Sequence, residues 1–567
     1  VIDGGLHLVE TLDDALNMRA WLGERRDWLG FDIETEGLNK GRDAIRLFQV
    51  GDPNMGWAVP YDSWRGFIHE TMAQYDRRMV AHNLLFDSSF LKRDGAELKE
   101  WLLHDSMIMV ALYNPMVGIG LKPTAKRVFG AWATSGQEAL KAAMTKQGWT
   151  WATVPVNLPA FWAYGALDAS LTSLLAEKYW PLIQHSRHIY DIEIAAIHVM
   201  RDAELRGMKI DLDYVDAQTE YSYQVMDYWR PFIPAEIENP GSDAQVIKYL
   251  ERMGAVLWKL TDKGNPSCDD DVLKENEQRG IPGCEAIRNW RRARWLENSY
   301  WKNMRELNVN GVLRPSIKPV GARTGRMSIM QPALQTIPRG PEVRDAFIAR
   351  EGCSLLSTDY DQLELRVLAD AANEEAMLQA IREGKDMHNF VATSLYGETF
   401  TKEQRQICKN GQFAIVYGAG IPQFARTAGI PIEEAEHFMN MYAYMFPGVA
   451  RFMETMIHKA RAEGYVETKF GRRVPVEKDK AYVAVNYYCQ PTATADLIKL
   501  KIHELSCAGL GDFLLIPIHD EVILEVPDEH RDEIKHAVDT VMTEEQLFSC
   551  PLTASGDLYK RWGDKYR

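Results

Sequence analysis

Cysteine is scarce here and falls in no useful pattern. There are seven in 567 residues, scattered, odd in number, with no CxxC pair. That argues against a disulfide framework or a structural zinc site. No uninterrupted apolar run approaches the ~20 residues that a bilayer span needs. Val1 to Glu10 lacks the basic start and apolar core of a secretory leader. Internal repeats and low-complexity linkers are also missing. A basic excess is absent too: the net charge is −15, and both the first 190 residues and the remainder are acidic. Whole-chain charge bears on solubility and nonspecific attraction, whereas binding is set by local patches. Any polyanion groove must therefore be built from selected basic residues.

What remains is an ordinary globular composition, 46% hydrophobic and 26% charged. The length gives a prior of about four compact units. A soluble protein of the cytoplasm is expected. Trp28–Glu34 and Ile45–Val50 read as strands separated by a turn at Gly37, and Asp105–Tyr113 and Leu158–Trp180 read as helices. This mixture predicts an α/β unit ending near residue 185. Asp191–Leu205 follows as a helix closed by Gly207, and Met208–Asp213 as an extended segment. A helix-rich stretch runs to about residue 310. Cys353–Tyr360 and Phe513–Val526 are strand-like, separated by long helical segments. The second part is thus α+β and too large for one core.

Two constellations carry chemistry. Asp32 and Glu34 sit at i and i+2 of a strand and so share a face. Two like charges so close need a cation between them or a proton on one. Asp87 closes the segment Asn83-Leu84-Leu85-Phe86-Asp87, and Tyr164 and Asp168 fall at i and i+4 of a helix. Each piece alone is bland. In this order and within one domain-sized segment, they resemble the three motifs of DnaQ-like 3′–5′ exonucleases. The resemblance implies that Asp32, Glu34, Asp87 and Asp168 hold two Mg²⁺ ions, that Mn²⁺ can substitute, and that Tyr164 orients the attacking water. Two-metal hydrolysis of a phosphodiester suits such a set.

The second constellation has three parts. Leu355–Arg366 is an apolar run delivering Asp359 to a strand end, with a helical pattern after it. Arg405, Lys409, Phe413 and Tyr417 recur every four residues and drift slowly around one helix face. Two cations followed by two rings suit a triphosphate tail and a base. Phe513–Val526 reads as a β-hairpin with His519, Asp520 and Glu521 at its turn.

These segments resemble motifs A, B and C of family A DNA polymerases, and the flanks agree. Thr324-Gly325-Arg326-Met327-Ser328, Gln335-Thr336-Ile337-Pro338, Gly384-Lys385-Asp386-Met387-His388, and Asn486 with Gln490 all match family segments. The resemblance covers essentially the whole chain. It implies an RNase H-like α/β exonuclease domain over residues 1–185, then an α+β right-hand polymerase domain over 186–567. Within the latter, the thumb would span about 190–310, the palm about 311–380 and 485–567, and the fingers about 381–484.

The resemblance also implies roles. Asp359, Asp520 and the Tyr360 carbonyl would hold two Mg²⁺ ions. Arg405, Lys409 and His388 would grip the incoming triphosphate, with Lys409 a general acid for pyrophosphate. Phe413 and Tyr417 would pack beside the sugar and the templating position, Glu364 would exclude a ribose 2′-OH, and Gln362 would belong to the nucleotide site. Arg326, Gln335, Asn486, Gln490 and His519 would contact primer-template DNA, where minor-groove acceptors are shared by all correct pairs. Glu521 matches a secondary acidic residue near the metals. Phe413 is the ring that accompanies discrimination against dideoxynucleotides.

Three departures stand out. Asp361 replaces the usual motif A serine and adds a carboxylate, and Ala333 and Thr336 stand where the family usually has asparagine. The cluster Arg288, Arg291, Arg292 and Arg294 with Trp290, Trp295 and Trp301 reads either as a phosphate contact or as a solvated amphipathic helix.

The expected activity is template-directed DNA synthesis with proofreading, replicating phage DNA in a host cytoplasm. The expected partners are primer-template DNA, dNTPs, and replisome proteins such as helicase or single-strand binding protein; no membrane is involved, and the protein is a monomer. A single-subunit RNA polymerase shares the palm, but Glu364 and the exonuclease set argue against it. A non-catalytic primer-template binder would need a lost metal ligand, and none is lost.

Overall fold

The structure, a computed structural model, describes residues 4–24, 26–261, 263–544 and 546–567. Val1, where the expectation about a leader begins, lies outside them. The chain forms two compact units. The first comprises Val1–Gly207, Ile317–Ile329 and Glu351–Tyr559; the second comprises Met208–Ser316, Met330–Arg350 and Lys560–Arg567.

The first unit opens with a six-stranded sheet of β1 (Gly5–Leu8), β2 (Leu29–Thr35), β3 (Ile45–Gly51), β4 (Met55–Pro60), β5 (Met79–Ala81) and β6 (Leu103–Asp105). Its order is β1-β4-β3-β2-β5-β6. β2 is central, antiparallel to β3 and parallel to β5. Phe31, Ile33 and Thr35 are buried while Asp32 and Glu34 alternate with them, so the two carboxylates occupy one face. Three helices matter here: α1 (Leu84–Arg93), α2 (Leu121–Phe129) and α3 (Pro159–Tyr179). Pro159 sits at the first position of α3, where its missing N–H costs no hydrogen bond.

α3 lies flat on β2, β3 and β4 because glycines clear its path. A Cβ at Gly30 would stand 1.9 Å from the Ala169 carbonyl oxygen, and one at Gly56 would stand 2.5 Å from that of Ala166. Both obstacles are backbone, so neither could yield cheaply. The close approach brings the α3 residue Asp168 down to the β2 carboxylates.

α4 (Arg187–Arg206) follows and ends at Gly207, whose φ of 62° lies in the left-handed region. The first unit also holds a second sheet, of β7 (Cys353–Tyr360), β8 (Leu514–Ile518), β9 (Glu521–Pro527) and β10 (Ala554–Tyr559), in the order β8-β9-β7-β10. Its pairings are all antiparallel. β9 and β10 flank β7, whose apolar residues Leu355 and Leu356 are fully buried. α5 (Leu363–Ala372) leaves the end of β7. Helices then run from Glu375 to Glu463 and include α6 (Lys402–Val416).

In the second unit, a hydrophobic cluster of Ile233, Ile237, Val246, Leu250, Leu273 and Ile287 forms the core. The extended segment after Gly207 is shorter than its pattern suggests: the strand covers only Met208–Lys209. Asp211 already caps the helix Leu212–Trp229 by accepting from the Tyr214 N–H at 3.1 Å. No helix among the described residues is long and apolar enough to cross a membrane.

Candidate active sites on two sheets

On the first sheet, ligand oxygens of Asp32, Glu34 and Asp168 lie within 4.8 Å of one another. Asp87 joins from the first turn of α1. It is 2% exposed, and its Oδ1 accepts the Ile33 N–H at 3.2 Å. α1 is aimed by Asp105 at the end of β6, which accepts from the Leu84 N–H at 2.8 Å and the Asn83 N–H at 3.2 Å. Asp105 also caps the next helix through the Met107 and Ile108 N–H groups. Its burial still holds its carboxyl up at about 6.

Burial pushes Asp32 and Glu34 well above the usual carboxylate range, followed by the charge of Asp168 on Asp32 and of Asp32 and Asp168 on Glu34. Asp87 moves the same way, first by burial and then by the charge on Asp32. Asp168 is raised by burial, with Lys122 opposing the rise. Tyr164, one turn before Asp168, is raised by burial and the same carboxylates. Lys122 had no signal in the sequence. It lies 46 residues from Asp168, yet its ammonium forms an ion pair with Asp168 Oδ1.

On the second sheet, the β7–β9 register sets Asp359 directly opposite Glu521, and Asp520 occupies the adjoining β8–β9 turn. His519 takes a left-handed φ of 59° there. Burial pushes Asp520 up to about 6. Ser357 Oγ donates to Glu521, which is buried. The Tyr360 hydroxyl donates to the Met542 carbonyl at 2.5 Å and locks the end of β7. Asp361, one residue beyond, is exposed.

α6 begins with a capping box in which Thr401 Oγ1 accepts the Gln404 N–H and the Gln404 side chain accepts the Thr401 N–H. Arg405, Lys409 and Phe413 run along it, and Tyr417 is its C-terminal cap. The Phe413 and Tyr417 rings stack with centroids 5.9 Å apart and planes 12° apart. The Tyr417 hydroxyl donates to Glu364 at 3.1 Å. Burial raises Glu364, and its hydrogen bonds to Tyr417 and Gln490 oppose that.

Arg405 engages Asp386 at 3.0 Å and Asn389 at 2.5 Å. Gln362 ties this segment to the end of β7, donating to Asp386 at 2.5 Å and accepting from the Met387 N–H at 2.9 Å. His388 is buried, which lowers its pKa, and its Nδ1 lies 2.5 Å from Gln412 Oε1. Gln412 and Asp386 are thus supporting residues that the motif reading left without a role. Asp386 lies within a quoted segment and Gln412 directly precedes Phe413, which was the available signal.

Arg326 approaches His519 Nδ1 at 3.1 Å. Asn486 and Gln490 lie one turn apart on the helix Ala484–Pro491. Gln335 belongs to the second unit, on the short turn Leu334–Thr336. In the arginine cluster of that unit, every cation is engaged by protein: Arg288 by Asp270 and Glu277, Arg291 by Asp243, Arg292 by Glu342 and Arg294 by Asn239. Trp301 is fully buried, and Trp295 is 43% exposed.

Known proteins are similar to this chain in sequence and in fold. The DNA polymerase of Mycobacterium phage D29 is 26% identical over 599 residues, covering 99% of this chain and 97% of that protein. The DNA polymerase of Mycobacterium phage L5 is 26% identical over 590 residues with the same coverage. The thermostable DNA polymerase I of Thermus filiformis is 30% identical over 426 residues; the match covers 70% of this chain and 51% of that protein. Among solved structures, the POL domain of Pol1 from M. smegmatis, in complex with DNA primer-template and dNTP, aligns with a TM-score of 0.79. It covers 99% of both chains at 20% identity and shows the shared mixed α/β fold. The family model for DNA polymerase family A matches residues 229–564. This chain belongs to family A of the DNA-directed DNA polymerases.

Proposed function

We propose that the chain is a proofreading polymerase, in which one site extends a primer 3′-OH with dNTPs and a second removes 3′-terminal nucleotides. The observation that carries the second activity is the convergence of Asp32, Glu34 and Asp168 within 4.8 Å on a sheet other than the one bearing Asp359 and Asp520. Near-complete coverage by two phage DNA polymerases supports a role in copying phage DNA. On this reading residues 1–185 are the exonuclease domain and 186–567 the polymerase domain, with thumb, palm and fingers in the family order. The protein would work as a monomer in the host cytoplasm, alongside a helicase or single-strand binding protein.

The donor sets fit hard divalent cations. Both are all oxygen; the first is crowded and desolvated enough that its charge calls for compensation, and burial raises Asp520 in the second. Asp32, Glu34, Asp87 and Asp168 would hold Mg²⁺ or Mn²⁺ at one site, and Asp359, Asp520 and the Tyr360 carbonyl at the other, two ions in each. Such ions, when bound, lower the pKa of an attacking oxygen and stabilise the charge of an in-line displacement.

The side chains supply the rest. Tyr164, beside Asp168, orients the water that attacks the terminal phosphodiester. Arg405 and Lys409, one turn apart on α6, grip the triphosphate, and Lys409 delivers a proton to the departing pyrophosphate. His388, held by Gln412, reaches the same phosphates as a neutral ring, while Gln362 fixes the segment that carries it. Phe413 and Tyr417 flank the sugar and the templating position. Glu364, pinned by Tyr417, fills the volume that a ribose 2′-OH would need. Arg326, Asn486, Gln490, His519 and Gln335 contact the primer-template.

The test is a gel assay of one 5′-labelled primer on a longer template with Mg²⁺. Longer products with four dNTPs and shortened products without them are expected. A primer that stays intact without dNTPs contradicts the proofreading site.

A further inference from the structure

The carboxylate cluster on the first sheet contains a cation that the family motifs do not include. Lys122 stands at the second position of α2, and its side chain is only 14% exposed. Its Nζ pairs with Asp168 Oδ1 and lies 4.0 Å from the centroid of the Tyr164 ring. The ammonium therefore touches one of the three clustered carboxylates and the tyrosine one turn away. Its charge also opposes the rise in pKa of Asp32 and Glu34.

The backbone that delivers Lys122 is fixed. The Ile119 carbonyl lies 2.8 Å from His82 Nε2, and His82 Nδ1 lies 2.9 Å from Ser106 Oγ. Burial pulls His82 down to about 4, so the ring is neutral at working pH. The Gly118 carbonyl accepts from Thr124 Oγ1 at 3.1 Å and from Arg127 at 3.3 Å. The loop entering α2 is thus tied to the residue just before the Asp87 motif. Lys122 is held in the cluster from the same framework that holds Asp87.

An ammonium on Asp168 Oδ1 and a metal drawing on the same carboxylate oxygen compete for one lone-pair region and one charge. We propose that Lys122 is a resident cation of the exonuclease site that competes with a divalent metal for Asp168, so that filling the site requires displacing the ammonium. This rests on the proofreading reading above. Lys122 partly neutralises the cluster when metal is scarce and sets the metal concentration at which excision begins.

The test is a Mn²⁺ titration of the full chain, read by the EPR signal of free Mn²⁺, in a D359N/D520N background that removes the polymerase-site carboxylates. K122M and K122Q are expected to tighten Mn²⁺ binding on the order of tenfold, because the cation no longer competes for Asp168. K122R restores the parent affinity, and D168N abolishes binding at this site. If D168N abolishes binding but K122M and K122Q leave it unchanged or weaker, the competition is disproved and the proofreading reading stands. If D168N leaves Mn²⁺ binding intact, the cluster is no metal site, and both the reading and the competition fall.

Discussion

The two candidate sites of this chain solve the same electrostatic problem in different ways. On the first sheet, four carboxylates from β2, α1 and α3 are packed together; burial raises the pKa of each, and a neighbouring carboxylate adds to the rise at Asp32, Glu34 and Asp87. On the second sheet, Asp359 and Asp520 sit at the end of β7 and at a β-turn, and the cations Arg405 and Lys409 lie in sequence register along α6. The first site is a property of close packing, because α3 must touch the sheet for Asp168 to reach Asp32 and Glu34. The second is a property of strand register and helix period. Packing changes should therefore damage the first site most, and point charge changes should separate the two.

The largest expected effect is at Asp168. D168N removes a cluster carboxylate with little change in shape, and excision should fall on the order of 10³-fold while primer extension persists. A labelled-primer assay with and without dNTPs measures both rates. Next comes Gly30→Ala. The added Cβ would meet the Ala169 carbonyl at 1.9 Å, so α3 must lift or the sheet must bend, at about 3 kcal/mol. Loss of excision with retained extension, together with a lower melting temperature, is the expected pattern. Equal damage to both activities would mean that the two sheets do not respond separately.

A smaller effect concerns the burial of a carboxylate beside like charge. The Asp32 pKa is raised in the folded chain, so folding favours its protonated form. Its contribution is most favourable below the unfolded pKa of about 4 and is lost as pH rises toward the raised value. D32N, which is neutral throughout, should therefore melt higher than the parent at pH 8 in EDTA, by a few degrees for about 1 kcal/mol. The advantage should vanish near pH 4 or on adding Mg²⁺. Differential scanning fluorimetry across pH checks this, and a D32N chain that is less stable at pH 8 would show that the carboxylate is not strained.

Much of the architecture was legible in the sequence because it rests on short periods. The alternation of Phe31, Asp32, Ile33 and Glu34 gave β2 and its carboxylate face, and the four-residue spacing from Arg405 to Tyr417 gave α6. The hairpin around Asp520 followed from two apolar runs. What stayed hidden depends on contacts between distant segments. Lys122 meets Asp168 only because His82 and Thr124 anchor the loop before α2. Gln412 meets His388 only because two helices pack side by side. The arginines from 288 to 294 looked equally suited to phosphate or to solvent until Asp270, Glu277, Asp243 and Glu342 were seen to occupy three of them. Asp211 shortened the extended segment after Gly207 because its capping bond outweighs the strand-like pattern around it.

The central claim is that one chain carries two separable active sites. D520N tests it most directly, in a single gel with a 5′-labelled primer on a longer template, with Mg²⁺, with and without dNTPs. The account predicts that no primer is extended while shortening proceeds at the parent rate. Loss of both extension and shortening in D520N would contradict it.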